Sequence, residues 1–279
     1  MIFNKYNISD KMKVELDNIA ETMLIALYCR ARESEKSNGM INDEKAIEMV
    51  SKIDYNFSNF ENSKMSQLGV ACRTKILDEQ TKKFIKENPD GVCVSIGCGL
   101  DTRFSRVNNG KIKWYDLDLP EVINIREKFF ENSDQQKMIS ESIFDSKWVN
   151  EINHKGKNVL FIFEGILMYF DEKEVKEIIK IIEENFENAL ILMELSSKFM
   201  IRFGSRHELV KKTNATFKWG VKKSKDVEKL SNNIRLINEW YLFDIYKNQE
   251  TTSKKNKIAL SVILPIFNQI NNKIALYKI

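Results

Sequence analysis

The chain has 279 residues, of which 43% are hydrophobic and 30% are charged. A single domain of this length buries roughly three quarters of its unfolded surface, so disulfides or structural metals are not needed to complete a core. The 44 basic and 40 acidic residues leave a formal net charge of +4, which argues against nucleic acid or an anionic membrane surface as the main partner.

Cysteine and histidine usage argues against a metal site. None of the four cysteines forms a C-x-x-C pair, and the chain has only two histidines, so we predict no zinc. We expect the cysteines to be reduced and buried. The N-terminal residues do not resemble a signal peptide, and no run of about 20 apolar residues could span a bilayer. We therefore expect a cytoplasmic protein.

The first 90 residues predict helices. Apolar residues at helical spacing predict a first helix over 11–36. Asn42 or Asp43 is a suitable N-cap for a second helix that ends near residue 52. A third helix is predicted over 64–87, because the proline at 89 disfavours helical backbone just before it.

From residue 91 onward, strand-like and helix-like segments alternate. The strand-like segments are 91–96, 112–117, 137–140, 158–163 and 189–195. The helix-like segments between them lie near 102–107, 120–131, 145–153 and 171–186. The fourth and fifth strands are apolar on both faces, as strands of a buried parallel sheet are. The alternation predicts a doubly wound α/β sheet.

The pattern changes after Glu194. Residues 197–229 are predicted to form a mixed helical insertion, and 234–243 a strand. A polar connection leads to a helix over 258–270 that a proline interrupts, and 273–279 is predicted to be a final short strand. Two late strands therefore follow the five alternating ones.

A glycine-rich turn follows the first of the alternating strands. Val92–Ile96 leads into Gly97-Cys98-Gly99, and about twenty residues later the second strand ends at Asp118. A glycine turn after one strand and a carboxylate at the end of the next is how α/β folds bind a nucleoside-bearing cofactor. A nicotinamide-dependent dehydrogenase would require a third glycine where this chain has Thr102. The missing glycine makes a dehydrogenase the weaker interpretation.

Several motifs occur in an order that resembles a known family. The most specific is Gly99-Leu100-Asp101-Thr102-Arg103, within the glycine-rich turn. The others are Thr22–Ala31 (TMLIALYCRA), Cys72–Asp78 (CRTKILD), Trp114–Pro120 (WYDLDLP), Ser140–Asp145 (SESIFD) and Phe163–Tyr169 (FEGILMY). Together they resemble the leucine carboxyl methyltransferase superfamily, in particular the branch that contains tetracenomycin polyketide O-methyltransferases. The resemblance covers about residues 20–196.

This resemblance implies the fold and the cofactor. Family members have a seven-stranded, doubly wound, Rossmann-like α/β sheet whose last strand is inserted antiparallel near one edge, and they use S-adenosylmethionine. We expect one domain over 1–279, with an N-terminal helical cap over 1–90 and a cofactor-binding core over 91–196. Residues 197–279 would then hold a helical insertion after the fifth strand, the acceptor pocket and the last strands.

The resemblance also implies roles for individual residues. Gly97 and Gly99 would allow backbone contact with the methionine part and the ribose of S-adenosylmethionine. Asp118 would accept hydrogen bonds from the ribose hydroxyls, although an Asp before Leu-Pro is also a good helix N-cap. Ser142 and Ile143 would flank the adenine.

Three charged residues are candidates for binding the methionine end of the cofactor. Arg73 matches the family arginine that contacts the cofactor, and its guanidinium can bind a carboxylate with two parallel hydrogen bonds. Arg30 is the candidate for a second cation. Glu164 follows the fourth strand, where the resemblance implies contact with the ammonium group. For Arg73 the alternative is a solvated arginine on the face of a helix.

The acceptor side is less well determined. Methyl transfer to a carboxylate needs no base, whereas a hydroxyl acceptor gains from one. His207, in the insertion, and Glu194, at the end of the fifth strand, are the candidate bases. Tyr169 and Tyr28 are candidates for the acceptor pocket, with packing in an aromatic core as the alternative.

The sequence therefore predicts an S-adenosylmethionine-dependent O-methyltransferase that acts on a carboxylate or hydroxyl of a small molecule. A methyltransferase for a protein C-terminal carboxylate and a non-catalytic S-adenosylmethionine-binding regulatory module are the alternatives. We expect a small-molecule partner, no nucleic acid and no membrane, and a homo-oligomer is compatible with the sequence.

Overall fold

A single large sheet organises the part of the chain that the structure describes. The structure is a computed structural model, and it describes residues 12–13, 21–204, 216–247, 264, 268 and 270–279. Helices cover both faces of the sheet, and an N-terminal helical region lies against its end. No helix within the described ranges has the length and apolar composition needed to cross a membrane.

The N-terminal region contains three α-helices: α1 (Thr22–Ser34), α2 (Glu44–Lys52) and α3 (Lys64–Glu87). The last two match the predicted helices. Asp43 is the N-cap of α2, and its side chain accepts a hydrogen bond from the backbone N–H of Ala46 at 3.0 Å.

The predicted start of the first helix is wrong. Met12–Lys13 forms a short strand, β1, that pairs in parallel with β2 (Ile53–Asp54). Helical spacing of apolar residues did not reveal this pairing, because the partner strand lies about forty residues further along the chain. The helix that follows begins at Thr22.

The main sheet has seven strands, as the resemblance implied. They are β3 (Val92–Ile96), β4 (Lys113–Asp118), β5 (Gln136–Ser140), β6 (Val159–Phe163), β7 (Leu190–Leu195), β8 (Arg235–Tyr241) and β9 (Lys273–Lys278). Their order in the sheet is β5-β4-β3-β6-β7-β9-β8. Neighbouring strands from β5 to β7 pair in parallel, and β9 pairs antiparallel with both β7 and β8. The predicted fold class is confirmed.

The remaining helices connect these strands. They are α4 (Arg103–Val107), α5 (Pro120–Arg126), α6 (Trp148–Glu151), α7 (Glu172–Asn185), α8 (Lys198–Gly204) and α9 (Leu242–Lys247). Helix α5 ends five residues before its predicted end, and the strand predicted to reach residue 243 gives way to α9 after residue 241. Most of the helix predicted over 258–270 lies outside the described residues.

The two faces of the sheet are buried against different helices. Val94 of β3 belongs to a core cluster with Ile178 and Ile182 of α7, whereas Cys93 belongs to a cluster with Leu77 of α3. Successive side chains of a strand point to opposite faces, so a continuous apolar strand can fill both cores. This double burial explains why the central strands are hydrophobic without alternation.

The strand order creates a site at one edge of the sheet. From β3 the chain goes first to β4 and β5 on one side, and then crosses back to β6 and β7 on the other. The carboxyl ends of the parallel strands meet at this reversal, which is where open α/β sheets bind ligands. Gly97, Asp118, Glu164 and Glu194 lie at these ends.

Candidate active site

A cavity of about 1060 Å³ opens at the carboxyl ends of the parallel strands. It is lined by residues of the N-terminal helices, the strand ends and the C-terminal part of the chain. Ten of the twelve candidate site residues line it: Arg30, Arg73, Gly97, Gly99, Asp118, Ser142, Ile143, Glu164, Tyr169 and Glu194. Of the other two, His207 lies outside the described residues, and Tyr28 is not part of the cavity lining.

The glycine turn lies against the cavity in a conformation that requires glycine. Gly97 has a φ of +61° and Gly99 a φ of +48°, in the left-handed region that other residues rarely adopt. A Cβ atom on Gly97 would lie 2.2 Å from Cδ1 of Ile166. The N–H of Gly97 donates to the carbonyl of Leu117 at 2.8 Å, which ties the turn to the end of β4.

Asp118 binds the backbone of the same turn. Its Oδ2 accepts a hydrogen bond from the N–H of Gly99 at 2.7 Å, and its Oδ1 accepts one from the N–H of Leu119 at 2.8 Å. It therefore does not cap α5 through that helix's first-turn N–H groups. Burial raises the pKa of Asp118, and the two N–H donors oppose this effect without cancelling it.

A buried ion pair holds the backbone of the glycine turn in place. Arg126 donates from Nη2 to Oδ2 of Asp116 at 2.8 Å, and both side chains are almost fully buried. Its Nη1 donates to the carbonyls of Gly99 and Asp101 at 2.9 and 2.8 Å. Asp116 therefore acts on the site only through Arg126.

Arg73 links two carboxylates at the ends of neighbouring strands. Its Nε donates to Oε1 of Glu164 at 2.8 Å, and its Nη1 donates to Oε2 of Glu194 at 3.0 Å. Burial alone would lower the pKa of this guanidinium, but the two carboxylates outweigh burial and raise it. Arg73 is therefore a fixed cation in the wall of the cavity.

Glu164 lies between two guanidinium groups. Besides Arg73, it accepts a hydrogen bond on Oε2 from Nη2 of Arg103 at 2.5 Å. Burial would raise the pKa of Glu164, yet Arg73 and Arg103 hold it below its ordinary value. Glu164 is consequently ionised at neutral pH.

Arg103 extends this cluster away from the cavity. It is buried, and it also donates to Asp78 at 2.8 Å and to Asp101 at 2.6 Å. Asp78 in turn accepts from Nε of Arg106 at 2.7 Å. The arginine of the Asp-Thr-Arg motif therefore orients a cavity carboxylate without being part of the cavity lining.

Arg30 is held by a carboxylate and a backbone carbonyl. Its Nε donates to Oδ2 of Asp43 at 2.9 Å and its Nη2 donates to the carbonyl of Leu100 at 2.7 Å. The side chain is buried but lines the cavity next to Asp101. Its contact with a cofactor stays a prediction.

Ser142 and Ile143 follow β5, next to Asp118. The N–H of Glu141 donates to the carbonyl of Asp118 at 3.1 Å, so the loop after β5 is tied to the end of β4. Ile143 is buried, and it presents an apolar surface to the same part of the cavity.

The other end of the cavity is apolar and aromatic. The rings of Tyr169 and Phe217 lie 5.5 Å apart between centroids, and Met200 and Phe243 contribute further apolar wall. Burial raises the pKa of Tyr169, although a hydrogen bond with Thr22 opposes it.

Glu194 and Asn272 provide polar groups at this end of the cavity. Oε2 of Glu194 accepts from the N–H of Gly165 at 2.8 Å as well as from Arg73, and its Oε1 accepts from Nδ2 of Asn272 at 2.9 Å. Oδ1 of Asn272 is buried and has no partner among the described residues. A bound molecule with a hydrogen-bond donor could satisfy this oxygen.

Tyr28 does not belong to the site. Its ring stacks on Phe57 with centroids 5.5 Å apart and contacts Phe60, in the core of the N-terminal region. The alternative of aromatic core packing is therefore the correct one for this residue.

Sequence reasoning missed Arg126 and Asn272. Arg126 follows Val122, Ile123 and Ile125 at helical spacing, so its position on the apolar side of α5 was a usable signal of a buried cation. No local pattern indicates Asn272, because it precedes β9 and reaches the cavity only through strand pairing with β7.

The described residues that line the cavity carry an excess of negative charge. The seven acidic side chains are Asp101, Asp118, Glu121, Glu141, Glu164, Glu174 and Glu194. The three basic ones are Arg30, Arg73 and Lys218. The formal sum of these charges is −4, in a chain whose overall charge is +4. Such a cavity favours a ligand with net positive charge.

Comparisons with known proteins agree with this architecture. The family model described as leucine carboxyl methyltransferase matches residues 23–183. The tetracenomycin polyketide synthesis O-methyltransferase TcmP of Streptomyces glaucescens is 26% identical over 83% of this chain and 86% of its own length. The S-adenosyl-L-methionine-dependent methyltransferase dpfgK of Gibberella zeae is 30% identical over 64% of this chain and 65% of its own.

A solved structure shows the same fold at low sequence identity. A Thermobifida fusca protein assigned as a methyltransferase superposes with a TM-score of 0.58 and 12% identity, covering 89% of this chain and 93% of that one. The resemblance seen in the sequence motifs is confirmed by the family match.

Replacing Arg126 by Met should destabilise the protein. The substitution leaves Asp116 charged and buried without its partner, and removing one member of a buried pair costs about 3–5 kcal/mol. The free energy of unfolding, measured by urea denaturation, should fall by this amount. Lys180→Met, which removes an exposed pair with Glu184 at 3.6 Å, should cost less than about 1 kcal/mol. Equal losses in the two variants would contradict the role assigned to Arg126.

Replacing Gly97 by Ala should cost more stability than replacing Gly110. Both glycines have positive φ, so each substitution should lose about 1–2 kcal/mol from backbone strain. Only at Gly97 must Ile166 also move, because a Cβ on Gly110 meets no atom within 4 Å. Urea denaturation of both variants tests this, and a Gly110→Ala loss as large as that of Gly97→Ala would show that the close contact is unimportant.

Proposed function

Because the chain belongs to the leucine carboxyl methyltransferase family and is an S-adenosylmethionine-dependent methyltransferase, we propose that it transfers the methyl group to a carboxylate or hydroxyl oxygen of a small molecule. The observation that carries this proposal is the single cavity that joins the glycine turn to the aromatic end near Tyr169 and Phe217. One cavity of about 1060 Å³ can hold a nucleoside-sized cofactor and a second molecule in contact with it.

The residues present fit S-adenosylmethionine. At neutral pH this molecule carries a sulfonium, an ammonium and a carboxylate, so its net charge is positive, as the acidic lining favours. The left-handed backbone at Gly97 and Gly99 places main-chain atoms of the turn directly at the cavity wall, where a ligand can contact them. The unpaired carbonyl oxygen of Asn272 is also available to a donor.

At the adenosine end, Asp118 is the proposed acceptor for the ribose hydroxyls. Each of its oxygens accepts one backbone hydrogen bond, and a carboxylate oxygen has a second lone pair for a further donor. Ser142 and Ile143, on the adjacent loop, are proposed to contact the adenine.

At the methionine end, Arg73 and Glu164 are proposed to bind the carboxylate and the ammonium group. The hydrogen bonds of Arg73 within the described residues use Nε and Nη1. Its Nη2 donors are therefore available for a ligand carboxylate. Glu164 is already ionised, and Arg30 supplies a further cation beside Asp101.

In the reaction itself, the bound sulfonium supplies a methyl group for an in-line displacement by the acceptor oxygen. The main task of the chain is to hold the acceptor oxygen in line and to exclude water. The apolar wall formed by Met200, Phe217 and Phe243 serves the second purpose, and its aromatic rings suit a planar acceptor.

Proton transfer depends on which acceptor binds. Tyr169 keeps its proton at neutral pH because burial raises its pKa, so we assign it to donating a hydrogen bond to the acceptor. Glu194 accepts hydrogen bonds from three donors, which suits an anchor for Arg73 better than a general base. His207 stays a candidate base for a hydroxyl acceptor.

The comparison with TcmP supports oxygen as the acceptor atom. Its name describes an O-methyltransferase of polyketide synthesis, and it aligns with most of this chain. An aromatic hydroxyl or carboxylic acid would fit both that relationship and the wall around Tyr169.

The proposed function can be tested with cofactor product and labelled cofactor. S-adenosylhomocysteine at 100 times its dissociation constant should stabilise the protein by about 2.7 kcal/mol, since it binds only the folded state. Differential scanning fluorimetry should show the corresponding rise in Tm. Methyl-labelled S-adenosylmethionine, incubated with panels of phenols and carboxylic acids, should yield a labelled ether or ester.

Three outcomes would contradict this proposal or part of it. The absence of any rise in Tm with S-adenosylhomocysteine would overturn cofactor binding. Binding without transfer to any panel member would instead favour the non-catalytic regulatory module. Label transferred to nitrogen or carbon would leave the cofactor site intact and overturn the assignment to oxygen.

Asp118→Asn should weaken S-adenosylhomocysteine binding by about 10–100-fold. The expected loss is that of hydrogen bonds to a charged group, about 1.5–3 kcal/mol, and each 1.4 kcal/mol corresponds to a tenfold change. Isothermal titration calorimetry measures the affinity. Asp145→Asn is the matched control, because Asp145 is on the loop after β5 but pairs only with Lys147 at the surface. An unchanged affinity in Asp118→Asn would exclude the ribose contact.

A further inference from the structure

A second cavity, of about 610 Å³, lies beside the candidate active site, and five of the twelve described residues that line it are lysines. Helix α8 separates the two cavities, because Lys198 and Phe199 line the second one while Met200 lines the first. We call this second cavity the lysine groove. Its size is within the range of small-molecule sites.

Five lysines line the groove: Lys198, Lys222, Lys223, Lys225 and Lys273. Four separate segments of the chain contribute to the groove wall, since Lys198 begins α8, three lysines follow Val221, Lys273 begins β9 and Glu239 lies on β8. Three of the five lysines therefore come from one basic run after Val221, and the fold adds Lys198 and Lys273 to them.

The one acidic residue among the described residues of the lining, Glu239, already has partners. Oε2 of Glu239 lies 3.3 Å from Nζ of Lys273 and accepts a hydrogen bond from Ser224 at 2.5 Å, and Oε1 accepts one from Tyr241 at 3.2 Å. Ser224 and Lys273 lower the pKa of Glu239 despite its partial burial. One carboxylate and one ammonium thus neutralise each other at the base of the groove.

The other four lysines make no close ion pair with the described residues, and only Lys198 interacts at longer range with a described carboxylate, that of Asp226. Lys198, Lys222, Lys223 and Lys225 are exposed, and none of them has a carboxylate within ion-pair distance in the described part of the chain. The groove lining therefore has a formal charge of +4, whereas the lining of the candidate active site sums to −4. The groove therefore favours an anionic ligand, whereas the candidate active site favours a cationic one.

We propose that the lysine groove binds a small molecule that carries a phosphoryl group with two or more negative charges. Lysine ammonium groups are point charges that suit tetrahedral phosphate oxygens approached from several directions. A single carboxylate carries only one negative charge, so a phosphoryl group with two charges is the better match for the lysines of the groove. This site is separate from methyl transfer and does not depend on the acceptor proposed above.

The local structure holds the lysines around the groove. The N–H of Val221 donates to the carbonyl of Ser196 at 2.9 Å, and the N–H of Lys198 donates to the carbonyl of Val221 at 3.3 Å. The hydroxyl of Tyr277 donates to the carbonyl of Ser224 at 2.8 Å. The lysine-bearing loop is therefore anchored to α8 and to β9.

The experiment uses inorganic pyrophosphate as the probe and the triple variant K222Q/K223Q/K225Q. Isothermal titration calorimetry on the intact chain should detect pyrophosphate binding that the triple variant weakens at least about tenfold, because three cations near the ligand are lost. Raising the ionic strength should weaken binding to the unmodified protein as well. The charge-preserving variant K222R/K223R/K225R should retain binding within about threefold, since the ligand is held by charge.

The matched control is K82Q/K83Q/K86Q, which removes the same charge from an exposed face of α3. It should leave pyrophosphate affinity unchanged, and both triple variants should keep the Tm of the unmodified protein because the substituted lysines are exposed. Equal losses in the two triple variants would overturn the proposal in favour of non-specific attraction. Absence of pyrophosphate binding would also overturn it, whether or not a polyglutamate peptide binds.

Discussion

The ion pairs of Arg73 with Glu164 and Glu194 join the N-terminal helices to the strand ends that form the candidate active site. Arg73 belongs to the N-terminal helix α3, whereas the two glutamates lie at the ends of β6 and β7. A buried charge is costly unless it is paired, so Arg73 depends on the two glutamates for its position in the cavity wall. The wall of the cavity is therefore complete only where the N-terminal helices pack against the sheet.

The same constraint extends through a chain of alternating charges. Arg103 links Glu164 to Asp78, and Arg106 links Asp78 to Asp43, which pairs with Arg30 and caps α2. These contacts connect α1, α2, α3 and α4 to the strand ends through charges rather than apolar packing alone. An ordered network of this kind is expected to hold the cavity walls in one arrangement, which suits a reaction that depends on positioning.

Charge also divides the surface of the protein by function. The charged residues that line the candidate active site are mostly carboxylates, which suits a sulfonium cofactor, whereas the lysine groove on the other side of α8 has a positive lining. The small overall charge of the chain hides this separation, because the two regions cancel in the total. The net charge calculated from composition is therefore correct for the whole chain but gives no information about the charge of either cavity.

Much of the fold and many of the residues that line the cavity could be predicted from the sequence, because they follow from local sequence patterns. Apolar runs, the glycine turn and the Asp-Thr-Arg motif determined the parallel strands, their order in the chain and the family. Three features could not be predicted. They are the start of α1, the hydrogen bond from Arg126 to the glycine turn, and the hydrogen bond from Asn272 to Glu194. Each depends on partners that lie far apart along the chain, as Arg73 and Glu164 do at a separation of 91 residues. Only the packed structure brings such charges together. A charge that is removed from water must pair with an opposite charge, and the residues next to it in the chain do not determine that partner.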